Sequence, residues 1–253
     1  MSMLDMIEKP QDRMPIITIL GEAGTGKTSL GATFPKPIFI RIEDGLQAIP
    51  ADNRPDAFPE VGDDVELLFK QINALVQNEH DYKTVVFDSV TKLDRIFEKY
   101  IIDNDPKKPK SINQAMGGYG AGMSAVANLH GRIRKASGML NAKGMCVIFI
   151  AHADTETIEL PDSDPYMRYS LRLGKKSIAH YVDDVDAVAL VKLETFFTGE
   201  GDRKKAISSG ERVICMNATS SSVTKNRYGV TEDIRFEQGV NPFTNIIKVL
   251  GDK

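Results

Sequence analysis

The stretch Ile19–Pro35, ILGEAGTGKTSLGATFP, sets glycines, small residues and a lysine where an apolar strand gives way to a helix. Ahead of it, Pro15-Ile16-Ile17-Thr18-Ile19-Leu20 is β-branched and uncharged, the pattern of a strand buried on both faces. Gly21, Gly24 and Gly26 accept backbone angles that a Cβ forbids, and TSLGATF behind them has the composition of an opening helix. Gly21-Glu22-Ala23-Gly24-Thr25-Gly26-Lys27-Thr28 fits G-x-x-x-x-G-K-S/T, in which successive backbone N–H groups and a helix dipole surround a polyphosphate. With Ser29, these residues form the expected cofactor-binding set. Lys27 is placed for the β- and γ-phosphates of ATP, and the Thr28 hydroxyl for a Mg²⁺ that keeps most of its waters.

The chain has 253 residues, 42% of them hydrophobic and 26% charged, enough for one large α/β domain or two small ones; one is the expectation. A net charge of -3 gives no global basic signature, so nucleic-acid binding has to come from local patches. Cys146 and Cys215, both in apolar runs, read as reduced core thiols of a cytosolic protein. Asp5, Glu8 and Asp12 do not suit a secretory signal, and no apolar run approaches a membrane span. The stretches expected to be mobile are DNDPKKPKSINQAMGGYGAG, ELPDSDPYMRYSLRLGKK and TGEGDRKKAISSGE.

Other apolar runs end in groups with chemistry. Ile40-Arg41-Ile42 leads into Glu43, a candidate for polarising an attacking water, with a solvated strand-end acid as the plainer reading. Val85-Val86-Phe87 ends in Asp88, where a phosphate-loop fold needs a carboxylate for the Mg²⁺ shell. Ser89 follows as a helix cap or water ligand, and Leu93, Ile96, Phe97 and Tyr100 have helical spacing. Cys146 to Ala151 reads as a core strand with His152 at its end, either a sensor of the γ-phosphate or an ordinary hydrogen-bonding residue. Asp183, Asp184 and Asp186 read as surface or subunit-interface acids. AVALVKLETFF and RVICMNATSS extend the sheet with strands that could be antiparallel.

Taken in order, these segments resemble the RecA-type recombinase core. GEAGTGKTS is similar to its phosphate loop, FIRIEDGL to its strand-end glutamate segment, TVVFDSVTKL to its Walker B strand, and VIFIAHA to the strand whose terminal glutamine senses nucleotide; here His152 stands in that place. VTKNRYGVTEDIRFEQG resembles the late strand that sends basic residues into a neighbour's ATP site, which puts Lys225 and Arg227 at those positions. The resemblance runs from about Pro15 to Gly239 and is greatest to the compact phage ATPases of single-strand annealing and recombination.

This resemblance implies a RecA-like P-loop fold over residues 15–253: a mostly parallel sheet flanked by helices, with extra antiparallel strands toward the C-terminus. Residues 1–14 would be an arm that could pack on a neighbouring subunit. It implies a DNA-stimulated ATPase with Lys27, Glu43, Asp88 and His152 in one subunit and Lys225 and Arg227 supplied by the next. Two segments, 103–122 and 154–176, correspond to the loops that bind single-stranded DNA. Lys107, Lys108, Lys110 and Tyr119 in the first, and Tyr166, Arg168, Tyr169, Arg172, Lys175 and Lys176 in the second, interleave cations for phosphates with aromatics for stacking. The implied partners are single-stranded DNA, further copies in a filament or ring, and a single-strand binding protein, in the cytoplasm of a bacterial host if phage-encoded. Rival readings are an ATP-controlled annealing module with negligible turnover, a helicase-like ring, and a small-molecule kinase.

Overall fold

The computed structural model describes residues 3–9, 11–198 and 205–251. Its strands are β1 (Ile16–Gly21), β2 (Pro37–Arg41), β3 (Asp56–Ala57), β4 (Thr84–Asp88), β5 (Cys146–Ile158), β6 (Tyr166–Leu171), β7 (Ala187–Thr198), β8 (Lys205–Cys215), β9 (Lys225–Asn226) and β10 (Ile234–Phe236). The helices are α1 (Lys27–Ala32), α2 (Val65–Gln77), α3 (Val90–Asn104), α4 (Ala121–Ala142), α5 (Lys175–Val182), α6 (Phe243–Ile246) and α7 (Lys248–Gly251). The sheet runs β10-β8-β7-β1-β5-β4-β2-β3; from β7 to β3 neighbouring strands are parallel, whereas β8 and β10 are antiparallel additions.

Every residue of β1 and β4 is buried; β1 and the Thr84–Phe87 run of β4 are uncharged, as burial on both faces requires, and only Asp88 at the end of β4 carries charge. Alternate residues of β1 serve opposite faces. Ile16 and Leu20 join the larger core formed with α2, α3 and α4, while Ile17 and Ile19 pack with Leu30 and Phe34 beside α1 and with Phe243, Ile247 and Leu250. α2 buries Val65, Leu68, Ile72 and Leu75 on one stripe and is capped by Asp64, whose carboxylate accepts from the Leu67 amide. Ser89 caps α3 by accepting from the Lys92 amide, and Leu93, Ile96 and Phe97 are buried while Tyr100 is partly buried. Cys146 and Cys215 are free, buried thiols.

Several expectations need correction. β5 does not stop near His152: it continues to Ile158 and pairs antiparallel with β6, so much of the second expected mobile loop is a hairpin. β7 is parallel to β1 and only its other neighbours are antiparallel. The expected mobile hairpin after β7 falls in part on residues 199–204, outside the described residues. Asp183 and Asp184 are exposed as expected, but Asp186 is buried at 4% exposure. Its carboxylate accepts from the Ile16 amide at 2.9 Å, from Arg13 at 3.0 Å and from Arg227 at 2.9 Å, and so fixes the start of β1. Residues 3–6 form an exposed 3₁₀ turn that buries nothing. Among the described residues no helix is long and apolar enough to cross a membrane.

Candidate nucleotide site

β1 lies between β5 and β7, and the phosphate-loop residues follow its carboxyl end, the place where open α/β sheets bind ligands. Gly24 and Gly26 have φ of 80° and 90°, which explains their identity. Inside the loop, the Lys27 ammonium donates to the Glu22 carbonyl at 2.7 Å and the Thr25 hydroxyl to the same oxygen at 2.9 Å. Lys27 is only 6% exposed, and burial pulls its pKa down despite the nearby Asp88 and Glu43 carboxylates.

The other candidates converge on this loop from the strands on one side of β1. The Thr28 hydroxyl donates to Asp88 at 2.7 Å. Asp88 is 4% exposed, and burial outweighs that hydrogen bond to push its carboxyl up to about 6. A buried carboxylate with so little compensation suits a cation, and a hydroxyl with a carboxylate is the hard-oxygen pair that Mg²⁺ accepts. Among the described residues no group of three or more His, Cys, Asp or Glu is arranged to hold a metal alone. The remaining ligands would therefore be phosphate and water.

Glu43 follows β2, which pairs with β4, and its amide donates to the Asp88 carbonyl at 2.8 Å. The Ser89 hydroxyl donates to Glu43 Oε1, and His152 Nε2 stands 3.5 Å from Oε2. The hydrogen bond from His152, opposed by burial and helped by Ser89, holds the Glu43 carboxyl below its ordinary value. His152 is fixed in turn: its amide donates to the Thr91 hydroxyl at 2.9 Å, and its carbonyl accepts from the Arg172 amide at 2.9 Å.

Two residues at this site carried no recognised signal in the sequence. A Cβ on Gly45 would stand 2.8 Å from the Thr28 hydroxyl and 3.1 Å from Asp88 Oδ2, so the glycine keeps the chain close to the candidate metal position. Arg212 of β8 reaches the loop from the far side of β7 and donates from Nε to the Thr25 carbonyl at 3.2 Å.

Lys225 and Arg227 do not join this group. β9 pairs with Ala187 and Val188 at the start of β7, four residues before Val191, the partner of Gly21. At roughly 3.3 Å per residue this is about 13 Å along the sheet from their own phosphate loop. Lys225 donates to the Asp183 carbonyl, and Arg227 is paired with Asp186.

The two segments expected to meet DNA come together. Lys176 at the start of α5 donates to the Gly120 carbonyl at 3.3 Å and to the Ser124 hydroxyl at 2.8 Å, joining the hairpin side to the first segment. In that segment Lys107, Lys108 and Lys110 lie between α3 and α4 around buried Asp105, which accepts from the Met116 and Lys107 amides. Tyr119 is fully exposed, in a left-handed conformation with φ of 50°. On the hairpin, Arg168 pairs with Glu156 at 2.8 Å and Arg172 lies 3.8 Å from Asp154. Facing acids on β5 thus offset part of the positive charge that β6 contributes. Tyr166 and Tyr169 flank Arg168, and Tyr169 also borders a cleft of about 780 Å³ shared with Glu22, Ala23 and Thr25 of the phosphate loop. Lys175 opens α5 beside Lys176.

Comparison with known proteins agrees with this arrangement at the level of family. No curated protein matches the chain. Among solved structures, the KaiC-like protein PH0186 from Pyrococcus horikoshii OT3 aligns over 89% of this chain and 86% of its own, at 11% identity and a TM-score of 0.43. The family model described as AAA domain (AAA_24) matches residues 13–228, a span that begins before β1 and includes the phosphate loop, Glu43, Asp88 and His152. The chain belongs to this AAA-domain family and is a P-loop ATPase with a mostly parallel α/β sheet.

Proposed function

We propose that this ATPase hydrolyses ATP in response to single-stranded DNA, in phage-type recombination or strand annealing, with each site completed by a second copy in a filament or ring. The observation that carries the reading is the course of β5. The same strand that holds His152 against Glu43 continues into the hairpin bearing Tyr166, Arg168 and Tyr169, and the Arg172 amide bonds back to the His152 carbonyl. DNA that shifts the hairpin would therefore act directly on the group that orients Glu43.

In this reading the phosphate-loop amides and Lys27 hold the triphosphate. Thr28 and Asp88 would hold a Mg²⁺, which would supply neutralising charge to the phosphate oxygens. Glu43 accepts a hydrogen bond from the attacking water as its oxygen bonds to the γ-phosphorus and the bond to the bridging oxygen breaks, leaving ADP and phosphate. Lys225 and Arg227 are too far from their own loop to stabilise that charge. A neighbouring copy offering them in trans is the role their position supports.

The test is ATP hydrolysis by the purified chain, with and without single-stranded DNA, over a range of protein concentrations. Turnover that DNA stimulates and that rises more than linearly with protein is the expected result. Hydrolysis indifferent to both DNA and protein concentration would overturn the DNA-linked, shared-site reading. The metal assignment has a separate check in Gly45→Ala, whose new Cβ presses on Thr28 and Asp88. ATP affinity in Mg²⁺ should fall about tenfold, or about 1.4 kcal/mol, with little change in EDTA; equal titration curves for wild type and variant in Mg²⁺ would reject it.

A further inference from the structure

We infer that Arg212 is a nucleotide ligand supplied in cis, a guanidinium that contacts the phosphates nearer the nucleoside, on the opposite flank of the loop from Glu43. The inference rests on the ATP reading above and adds a residue to it. Arg212 lies on β8, between Leu193 of β7 and Phe236 of β10 in register. Its Nε donates to the Thr25 carbonyl, and a Cβ on Gly26 would stand 3.0 Å from Nε, 3.6 Å from Cδ and 3.8 Å from Cζ. The guanidinium therefore lies against the loop backbone at the residue preceding Lys27. A side chain at 26 would force the Arg212 guanidinium to shift.

Among the described residues the charge on Arg212 has no ion-pair partner: no carboxylate lies within ion-pair distance of it, and Nε makes its one hydrogen bond. Several other arginines are matched: Arg235 by Glu194 and Glu211, Arg168 by Glu156, and Arg13 and Arg227 by Asp186. A half-buried arginine held at a phosphate loop with two nitrogens to spare suits a bidentate contact to an anion. It also borders a cleft of about 900 Å³ with Phe236 and Val240.

Position along the sheet assigns which phosphates it meets. Glu43, Asp88 and His152 reach the loop from β2, β4 and β5, all on one side of β1, whereas β8 lies on the other side beyond β7. The γ-phosphate belongs with Glu43. Arg212 accordingly contacts oxygens common to ADP and ATP.

The experiment is calorimetric titration of ADP and ATP into wild type, Lys27→Ala, Arg212→Gln and Arg212→Lys. Glutamine keeps a donor for the Thr25 carbonyl without the charge, which separates a ligand from a mere staple of the loop. Arg212→Gln should lose about 10- to 100-fold in affinity for both nucleotides, with lysine in between. Wild-type affinity in Arg212→Gln, or a loss confined to ATP, overturns the inference while leaving the ATP reading intact. No binding by wild type overturns that reading and this one together. Should the glutamine variant fail to fold, the wild type itself decides: ADP should protect Arg212 from an arginine-directed dicarbonyl reagent, mapped by peptide mass, and modification unaffected by ADP refutes the contact.

Discussion

Glu43→Gln is expected to bind ATP within a few-fold of wild type and to lose hydrolysis by about 10²- to 10⁴-fold in kcat, the range associated with removing a positioned base. The geometry gives the reason. Ser89 and His152 each engage one oxygen of Glu43, so the carboxylate is held in one orientation, and its charge is kept by the His152 hydrogen bond. Glutamine has the same shape and can still accept from Ser89, but it has no charge with which to polarise water. Because the pKa of Glu43 is depressed, its active, ionised form persists below the ordinary carboxylate range as pH falls. Glu43 therefore adds no loss of activity near neutrality. Equilibrium binding together with single-turnover hydrolysis checks the variant, and turnover close to wild type would remove Glu43 from the mechanism.

How much of this was legible depended on distance along the chain. β1, the phosphate loop and β4 are local patterns: an uncharged run buried on both faces, then glycines or an acid where the strand ends. The Ser89 cap was legible for the same reason. The β5–β6 hairpin left a weaker signal, two β-branched or aromatic runs, Thr155–Ile158 and Tyr166–Tyr169, around PDSDP, and the prolines and acids favoured a loop reading. Asp186 and Arg212 had no local signal. Asp186 is buried because Arg13 and Arg227 reach it from 173 and 41 residues away, and Arg212 meets Thr25 across 187 residues. Such contacts exist only once the sheet order brings β9 to the start of β7 and β8 to its outer side. Gly45 belongs with them, since an acid followed by glycine does not reveal which hydroxyl the missing side chain would strike.

Asp88→Asn should separate stability from function, raising the first while abolishing the second. Burial raises the Asp88 carboxyl to about 6, so the folded protein holds this proton more tightly than the unfolded chain does. A raised carboxylate pKa contributes stability at low pH that is lost as pH rises, here between the ordinary value near 4 and about 6. Above that window the ionised group costs roughly 3 kcal/mol, the price of keeping a buried charge ready for a cation. Asparagine has the same shape, still offers an oxygen to the Thr28 hydroxyl and carries no charge. In the absence of nucleotide and metal the variant should therefore melt several degrees above wild type at pH 8, with the gap closing toward pH 4. Mg²⁺ with ATP should stabilise wild type strongly and the variant little, because a neutral amide gives the cation no charge to meet. Thermal unfolding from pH 4 to 8, with and without Mg²⁺ and nucleotide, measures all three effects. A variant less stable than wild type at pH 8 would mean that the Asp88 charge is already compensated inside the fold, and the case for a cation at Thr28 and Asp88 would lose its electrostatic basis.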